Sequence, residues 1–285
     1  MAHPVQPIHF ESPFMKRRLF ATLFALTLST TFASAQDCGN ADTPCVIDGG
    51  TYHAIAPDTE PKGIVIFLHG GSGRGKSLLK SGMAKAALKR GYVYVAPDGY
   101  HPNSHFIRNW SIKANNSVFE RDDVKFLTSV LADVRKRFNV TATPTLLSGF
   151  SRGGSMVWDV ACQTPDFATA YAPIAGAFWD DLPTACAAPV KLFHTHGWTD
   201  QTVPLEGRSF GGGAVIQGDV WASLKILRET NGCDKRQPER NSFDGDRWFR
   251  HWTDCTGADI ELMLHKGGHG VPKGWSARTL DWFEE

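Results

Sequence analysis

Ser151, in Gly149-Phe150-Ser151-Arg152-Gly153, is the residue of this chain best placed for nucleophilic chemistry. A hydroxyl attacks only when a base takes its proton, and that base needs an acid to orient it. Two later residues can supply both: Asp200, in His196-Gly197-Trp198-Thr199-Asp200, and His269, in Gly267-Gly268-His269-Gly270. Serine, aspartate, histidine is the chain order expected when the serine sits on a strand-to-helix turn. The attacked carbonyl also needs amides to hold its developing negative charge. The N–H of Arg152 is one donor, and His69-Gly70-Gly71 offers Gly71 as the other. Asp98 also ends an apolar run, but it precedes the serine and reads as a turn aspartate. His265 lacks glycines to present it, and His194 and His196 read as packing residues. The chemistry needs no metal and no organic cofactor.

These residues require particular elements beneath them. The apolar run Thr145–Phe150 is a strand leading straight into Ser151, and 154–162 suits a packed helix behind it. Glycines flank the serine because so tight a turn brings backbone close on both sides. Gly63–Leu68 is almost continuously apolar, as a strand covered on both faces should be. A helix over 77–90 stops at Gly91, and 92–96 is the next strand. Asp122 and Asp123 cap a helix running to Phe138, with Val124, Leu127, Leu131 and Val134 on one face. Strands follow at 170–175, 190–194 and 260–264, with an edge strand at 51–56 and a closing helix over 277–283. Strand alternating with helix predicts an α/β fold: a mostly parallel central sheet with helices on both faces. Little chain separates 170–175 from 190–194, so no large lid is expected there.

Composition bounds the remainder. The 285 residues are 42% hydrophobic, enough for one sizeable core, and the net charge of +1 provides no field for nucleic acid. Lys16-Arg17-Arg18, the apolar run 19–26 and Ala33-Ser34-Ala35 together form the pattern of a secretory signal peptide over 15–35. Met15 precedes Lys16 directly, so 1–14 reads as a mis-assigned start, and 36–285 is expected to be a single secreted or periplasmic domain with no membrane contact after cleavage. All six cysteines follow the cleavage point, and an even count in an exported chain points to disulfides. Their number leaves the connectivity open. Nearest-neighbour pairing would join Cys38 with Cys45, Cys162 with Cys186 and Cys233 with Cys255.

A rival motif overlaps the proposed amide cradle. Gly70 through Ser77 reads Gly-Gly-Ser-Gly-Arg-Gly-Lys-Ser, a formal match to the phosphate-binding loop of nucleotide-binding proteins. Export and cysteines argue against it, and Asp98 is the best available partner for magnesium.

Taken in order, the motifs around His69, Arg108-Asn109-Trp110, Asp122-Asp123, Ser151, Ala175-Gly176, Asp200 and His269 give the chain a broad resemblance. Over residues 50 to 285 it resembles the secreted polyhydroxybutyrate-depolymerase and feruloyl/acetyl-xylan-esterase-like group of α/β-hydrolases. The resemblance implies a serine esterase with Ser151, Asp200 and His269 as triad and Gly71 and Arg152 as oxyanion amides. The chain departs from the group at Gly71-Ser72-Gly73-Arg74, where a Cys-x-Gln is frequent, and at Val271, where an aromatic residue is frequent. Trp110, Trp179 and Trp198 fall in loops on the site side, and Trp110 and Trp198 are the expected substrate contacts. The expected partner is a polymeric or small ester. A secreted peptidase on the same fold and a non-catalytic carbohydrate-binding module are the competing classes.

Overall fold

The computed structural model describes residues 1–5, 9, 38–100, 108–112, 121–141, 143–213 and 215–285. The expected signal segment 15–35, its cleavage point and most of 1–14 lie outside these. Among the described residues no helix is long and apolar enough to cross a membrane.

Alternation of covered residues explains the central strands. In β3 (Gly63–Leu68) every residue is buried: Ile64, Ile66 and Leu68 enter one core, while Val65 and Phe67 enter the other. Strands β4 (Tyr92–Pro97), β5 (Thr145–Phe150), β6 (Ala170–Ile174), β7 (Leu192–Gly197) and β12 (Ile260–His265) run parallel to it in the order β4-β3-β5-β6-β7-β12. Helices α3 (Asp123–Arg137), α4 (Arg152–Gln163) and α5 (Val220–Asn231) cover one face. Helices α2 (Gly82–Lys89) and α6 (Trp275–Glu284) cover the other. Antiparallel pairs close both edges: β1 (Cys45–Ile47) with β2 (Gly50–Ile55), and β10 (Arg240–Asp244) with β11 (Arg247–Trp252). The mostly parallel sheet with helices on both faces is the one the strand and helix order implied, and its arrangement is that of the α/β-hydrolases the chain resembles.

Two elements differ from the sequence expectation. The helix over 77–90 is broken into α1 (Gly75–Leu78) and α2, because Ser81 stops the first and caps the second by accepting the Ala84 N–H at 3.1 Å. The strand expected at 190–194 starts two residues later and continues to Gly197, since Asn231 takes both the N–H and the C=O of Val190. The polar stretch between Cys233 and Cys255 is a sheet-extending hairpin. The short pair β8 (Arg208–Phe210) and β9 (Val215–Gln217) follows the Asp200 loop.

Cysteines pair as nearest neighbours: Cys38 with Cys45, Cys162 with Cys186, and Cys233 with Cys255. The second ties the end of α4 to the segment before β7, and the third anchors the outer hairpin to the end of α5. Loops of this length cost the unfolded chain about 3 kcal/mol of entropy each. Reduction is therefore expected to lower the melting temperature by roughly 10 °C or more. Thermal unfolding with and without reductant measures this, and an unchanged midpoint after complete reduction contradicts it.

Candidate active site

The turn that carries Ser151 is forced by backbone contact. Ser151 adopts φ 57° and ψ −120° between β5 and α4, a conformation a side-chain-bearing residue rarely takes. It is held there by its N–H on the Ile174 carbonyl at 2.9 Å. A Cβ on Gly153 would lie 2.5 Å from the His69 and Leu68 carbonyl oxygens, and one on Gly149 2.6 Å from the Gly153 carbonyl oxygen. Neither site accepts a larger residue without separating α4 from the sheet.

Asp200 and His269 reach the serine from neighbouring parallel strands. β7 and β12 pair in register, with Gly197 opposite His265. The loops beyond them therefore leave the sheet side by side. The Trp198 N–H donates to the His265 carbonyl and the Thr199 N–H to the Gly267 carbonyl, both at 3.0 Å. His269 Nδ1 lies 2.8 Å from Asp200 Oδ2, and His269 Nε2 lies 2.8 Å from Ser151 Oγ. With the Nδ1 proton donated to the carboxylate, Nε2 is left as the acceptor facing the hydroxyl.

Asp200 Oδ1 accepts the Thr202 and Val203 N–H groups at 2.9 and 2.8 Å. Burial pushes this carboxyl up, but bonds from His269 and Val203 outweigh it, and the group lies below its ordinary value. It stays ionised wherever the imidazole needs it. His194 and His196 sit within β7 and are fully buried. They bond to each other at 3.0 Å, and His196 also reaches the Val203 carbonyl at 2.7 Å. Burial lowers both imidazoles, so they brace the acid loop in the neutral form.

The amide cradle lies across the turn. A Cβ on Gly70 would be 3.4 Å from Ser151 Cβ, and one on Gly71 would be 4.0 Å from Arg152 Cβ, so the two segments face each other. In this loop the Ser72 N–H is taken by the Arg108 carbonyl and the Gly73 N–H by the Gly70 carbonyl. The Gly71 N–H has no acceptor among the described residues and faces the start of α4. The Arg152 N–H is at the free N-terminal end of α4, where helix amides have no intrahelical acceptor.

The same contacts dispose of the phosphate-loop reading. Gly75 N–H donates to Asp98 Oδ1 at 2.9 Å and Ser77 N–H to the Arg74 carbonyl at 3.1 Å. Four of the amides a phosphate would need, those of Ser72, Gly73, Gly75 and Ser77, are already committed. Asp98 is an internal anchor. Burial raises its carboxyl, but His53, the Gly75 N–H and Thr51 together hold it well below the usual carboxylate range.

Trp110 was expected at the substrate face and is fully buried instead. Its indole N–H donates to the His69 carbonyl at 2.8 Å and its ring packs on His69 at 5.0 Å, so it supports the cradle from below. Trp198 is 45% exposed beside the Asp200 loop.

Sequence reasoning missed the Arg152 side chain. Its Nε and Nη2 donate to the Trp110 carbonyl at 3.2 and 3.1 Å, and its guanidinium lies 4.3 Å over Trp179. Burial lowers it to about 10. Buried Asp123, paired with Arg121 and accepting the Ser111 N–H at 2.5 Å, fixes the other end of that segment. The Arg108-Asn109-Trp110 and Asp122-Asp123 motifs were the available signal, but their meeting place required the fold. Also missed was an apolar cavity of about 580 Å³ beside the serine, lined by Phe67, Met83, Ala86, Phe150, Val271 and Trp275 among others.

No protein-family model matches the chain. It is 24% identical over 283 residues to a probable feruloyl esterase C of Aspergillus niger, covering 91% of this chain and 94% of that one. It is 25% identical over 281 residues to feruloyl esterase C of Emericella nidulans, covering 90% and 92%. Among solved structures, an acetyl xylan esterase from Aspergillus awamori superposes with a TM-score of 0.64 at 15% identity, covering 83% of this chain and 94% of that one. Both relatives are named as feruloyl esterases, and the structural likeness shows the α/β-hydrolase fold.

Proposed function

We propose that the chain is an exported serine esterase that works through an acyl-enzyme on Ser151. The observation that carries this reading is the unbroken hydrogen-bond chain from Ser151 Oγ through His269 to Asp200. His269 Nε2 takes the hydroxyl proton as Oγ attacks the ester carbonyl, and the Gly71 and Arg152 N–H groups receive the oxyanion. Collapse of the intermediate breaks the ester C–O bond, and His269 returns the proton to the leaving alcohol. Water then repeats the sequence on the acyl-enzyme, releasing the acid and restoring Ser151.

The cavity indicates which acyl groups are favoured. At about 580 Å³ with largely apolar walls, it far exceeds an acetyl group and accommodates an aryl or medium-length alkyl acyl chain. Its walls flank the chemistry: Gly70 precedes the proposed oxyanion donor, Phe150 packs its ring 4.8 Å from that of His269, and Val271 follows His269 by two residues. This favours aromatic acyl esters such as feruloyl esters, the acyl group in the relatives' names, over acetyl esters. Polyhydroxyalkanoate is the other substrate consistent with an open site.

The test is a panel of nitrophenyl esters of rising chain length with methyl ferulate, acetylated xylan and polyhydroxybutyrate film. Each added methylene buried in the cavity is worth about 0.8 kcal/mol, or roughly fourfold in kcat/KM, until it is full. Ala86→Trp, which fills the cavity from the α2 side, should abolish that gradient and leave acetate turnover within a few-fold. A panel in which acetate is turned over best refutes the acyl assignment.

A further inference from the structure

The outer hairpin carries a second cluster that ester hydrolysis does not use. Alternation along β11 sends Phe249 into the core beside α6, and Trp248, Arg250 and Trp252 toward the face shared with α5. On that face rings and guanidiniums stack in a line. Trp198 stacks on Trp248 at 5.8 Å and 11°, and Phe243 stacks on the same indole at 6.2 Å and 6°. The Arg250 guanidinium lies 5.1 Å from Trp248 and 5.2 Å from Trp252, and that of Arg228 lies 5.5 Å from Trp252. Phe243 is 74% exposed and Trp198 45%, so the line is open to solvent at the end nearer the site.

The other end opens into a cavity of about 620 Å³ between α5 and β11, bordered by Lys225, Arg228, Arg236 and Arg250 over Trp252. Its charges are poorly balanced. Asp219 borders it too, but Oδ1 of that carboxylate is committed to the Trp221 and Ala222 N–H groups at the start of α5. Glu229 pairs with Lys225 at 3.6 Å. Arg228 donates to the Lys235 and Arg236 carbonyls, and neither Arg236 nor Arg250 has a carboxylate within 4.0 Å among the described residues. Arg250 Nε is buried with no hydrogen-bond partner. Burial lowers the Arg228 and Arg250 guanidiniums; at Arg228 the nearby Glu229 offsets part of this, and repulsion from Arg236 and Arg250 adds to it. Rings that can stack beside cations that lack anions describe a ligand with flat apolar faces and carboxylates.

We propose that the face running from Trp198 through Trp248 to Arg250, Arg228 and Arg236 binds a polysaccharide that carries carboxylate sugars, such as a glucuronate-substituted xylan. Pyranose faces stack on the exposed rings of Trp198 and Phe243, both of which stack on Trp248, and uronate carboxylates pair with the arginines. The sheet register points this track at the serine. Arg247 lies opposite His265, and His265 opposite Gly197, so the hairpin tip is level with the strand ends that present Asp200 and His269. Single-stranded nucleic acid also pairs stacking with cations. A chain of net charge +1 is a poor match to a uniformly charged phosphate backbone.

The track's use in delivering esters rests on the esterase reading, whereas polymer binding does not. Binding is therefore measured on Ser151→Ala, by calorimetry and affinity electrophoresis, against glucuronoxylan, its carboxyl-reduced derivative and an oligothymidylate. The expected result is binding to glucuronoxylan at least about tenfold tighter than to the reduced polymer. That preference should be lost in Arg236→Gln and in Arg250→Gln, and overall affinity should fall in Trp198→Ala. Arg236 and Trp198 are exposed, so those variants report binding even if Arg250→Gln folds poorly. Equal affinity for the two polymers, variants that bind as well as their parent, or tighter binding to the oligonucleotide would each overturn the proposal.

Discussion

Ser151→Ala is expected to lower kcat/KM for a short nitrophenyl ester by about 10⁴- to 10⁶-fold while the melting temperature moves by no more than a few degrees. The size follows from what is removed. Without Oγ no acyl-enzyme forms, and His269 can at best activate a water in a space shaped for an attacking serine. The residual rate would come from the Gly71 and Arg152 amides, which still stabilise an oxyanion. The fold should survive because Oγ makes its one described bond to His269, at 2.8 Å. The turn is held instead by the Ser151 N–H on the Ile174 carbonyl and by glycine contacts, which alanine leaves intact. Steady-state kinetics with a melting curve on the same preparation decide the matter. Activity within tenfold of the parent would remove Ser151 from the mechanism.

Asp200→Asn should cost about 10⁴-fold in kcat, in line with what replacing a buried orienting aspartate costs in serine hydrolases. The carboxylate accepts three hydrogen bonds: from His269 Nδ1–H and from the Thr202 and Val203 N–H groups. An amide in its place can keep its oxygen on the two backbone groups, which preserves the loop. That leaves NH₂ facing Nδ1, where two donors cannot coexist. The imidazole then moves its proton to Nε2 and presents a donor to Ser151 where an acceptor is needed. The predicted signature is a large fall in kcat with little change in KM or melting temperature. A loss smaller than tenfold would mean that another group orients His269.

The turn that carries Ser151 was legible in the sequence because it depends on near neighbours. An apolar strand, a serine between glycines and a following helix leave few other conformations, and β7 and β12 announce themselves as short apolar runs ending in glycine-rich loops. What could not be read depended on contacts between distant segments. Trp110 looks like a loop aromatic until β3 places the His69 carbonyl over its indole N–H. The β10–β11 hairpin has no apolar signature, because edge strands need cover on only one face and so lack a continuous apolar run. The break between α1 and α2 turned on Ser81, whose hydroxyl prefers to cap a helix rather than sit inside one. The 580 Å³ cavity joins residues from Phe67 to Trp275 and has no local signature.

A Cβ on Gly197 would lie 2.3 Å from the Gly268 carbonyl oxygen and 2.4 Å from that of Gly267. The acid loop and the histidine loop thus touch backbone to backbone, as do the turns at Gly149 and Gly153. Contacts of this kind leave no side chain to vary, so the reacting geometry is closed to gradual change by substitution. The walls at Met83, Ala86 and Val271 are built from side chains and lie outside those joints. A lineage, or a directed-evolution library, can therefore exchange one acyl group for another at the walls while inheriting the machinery intact.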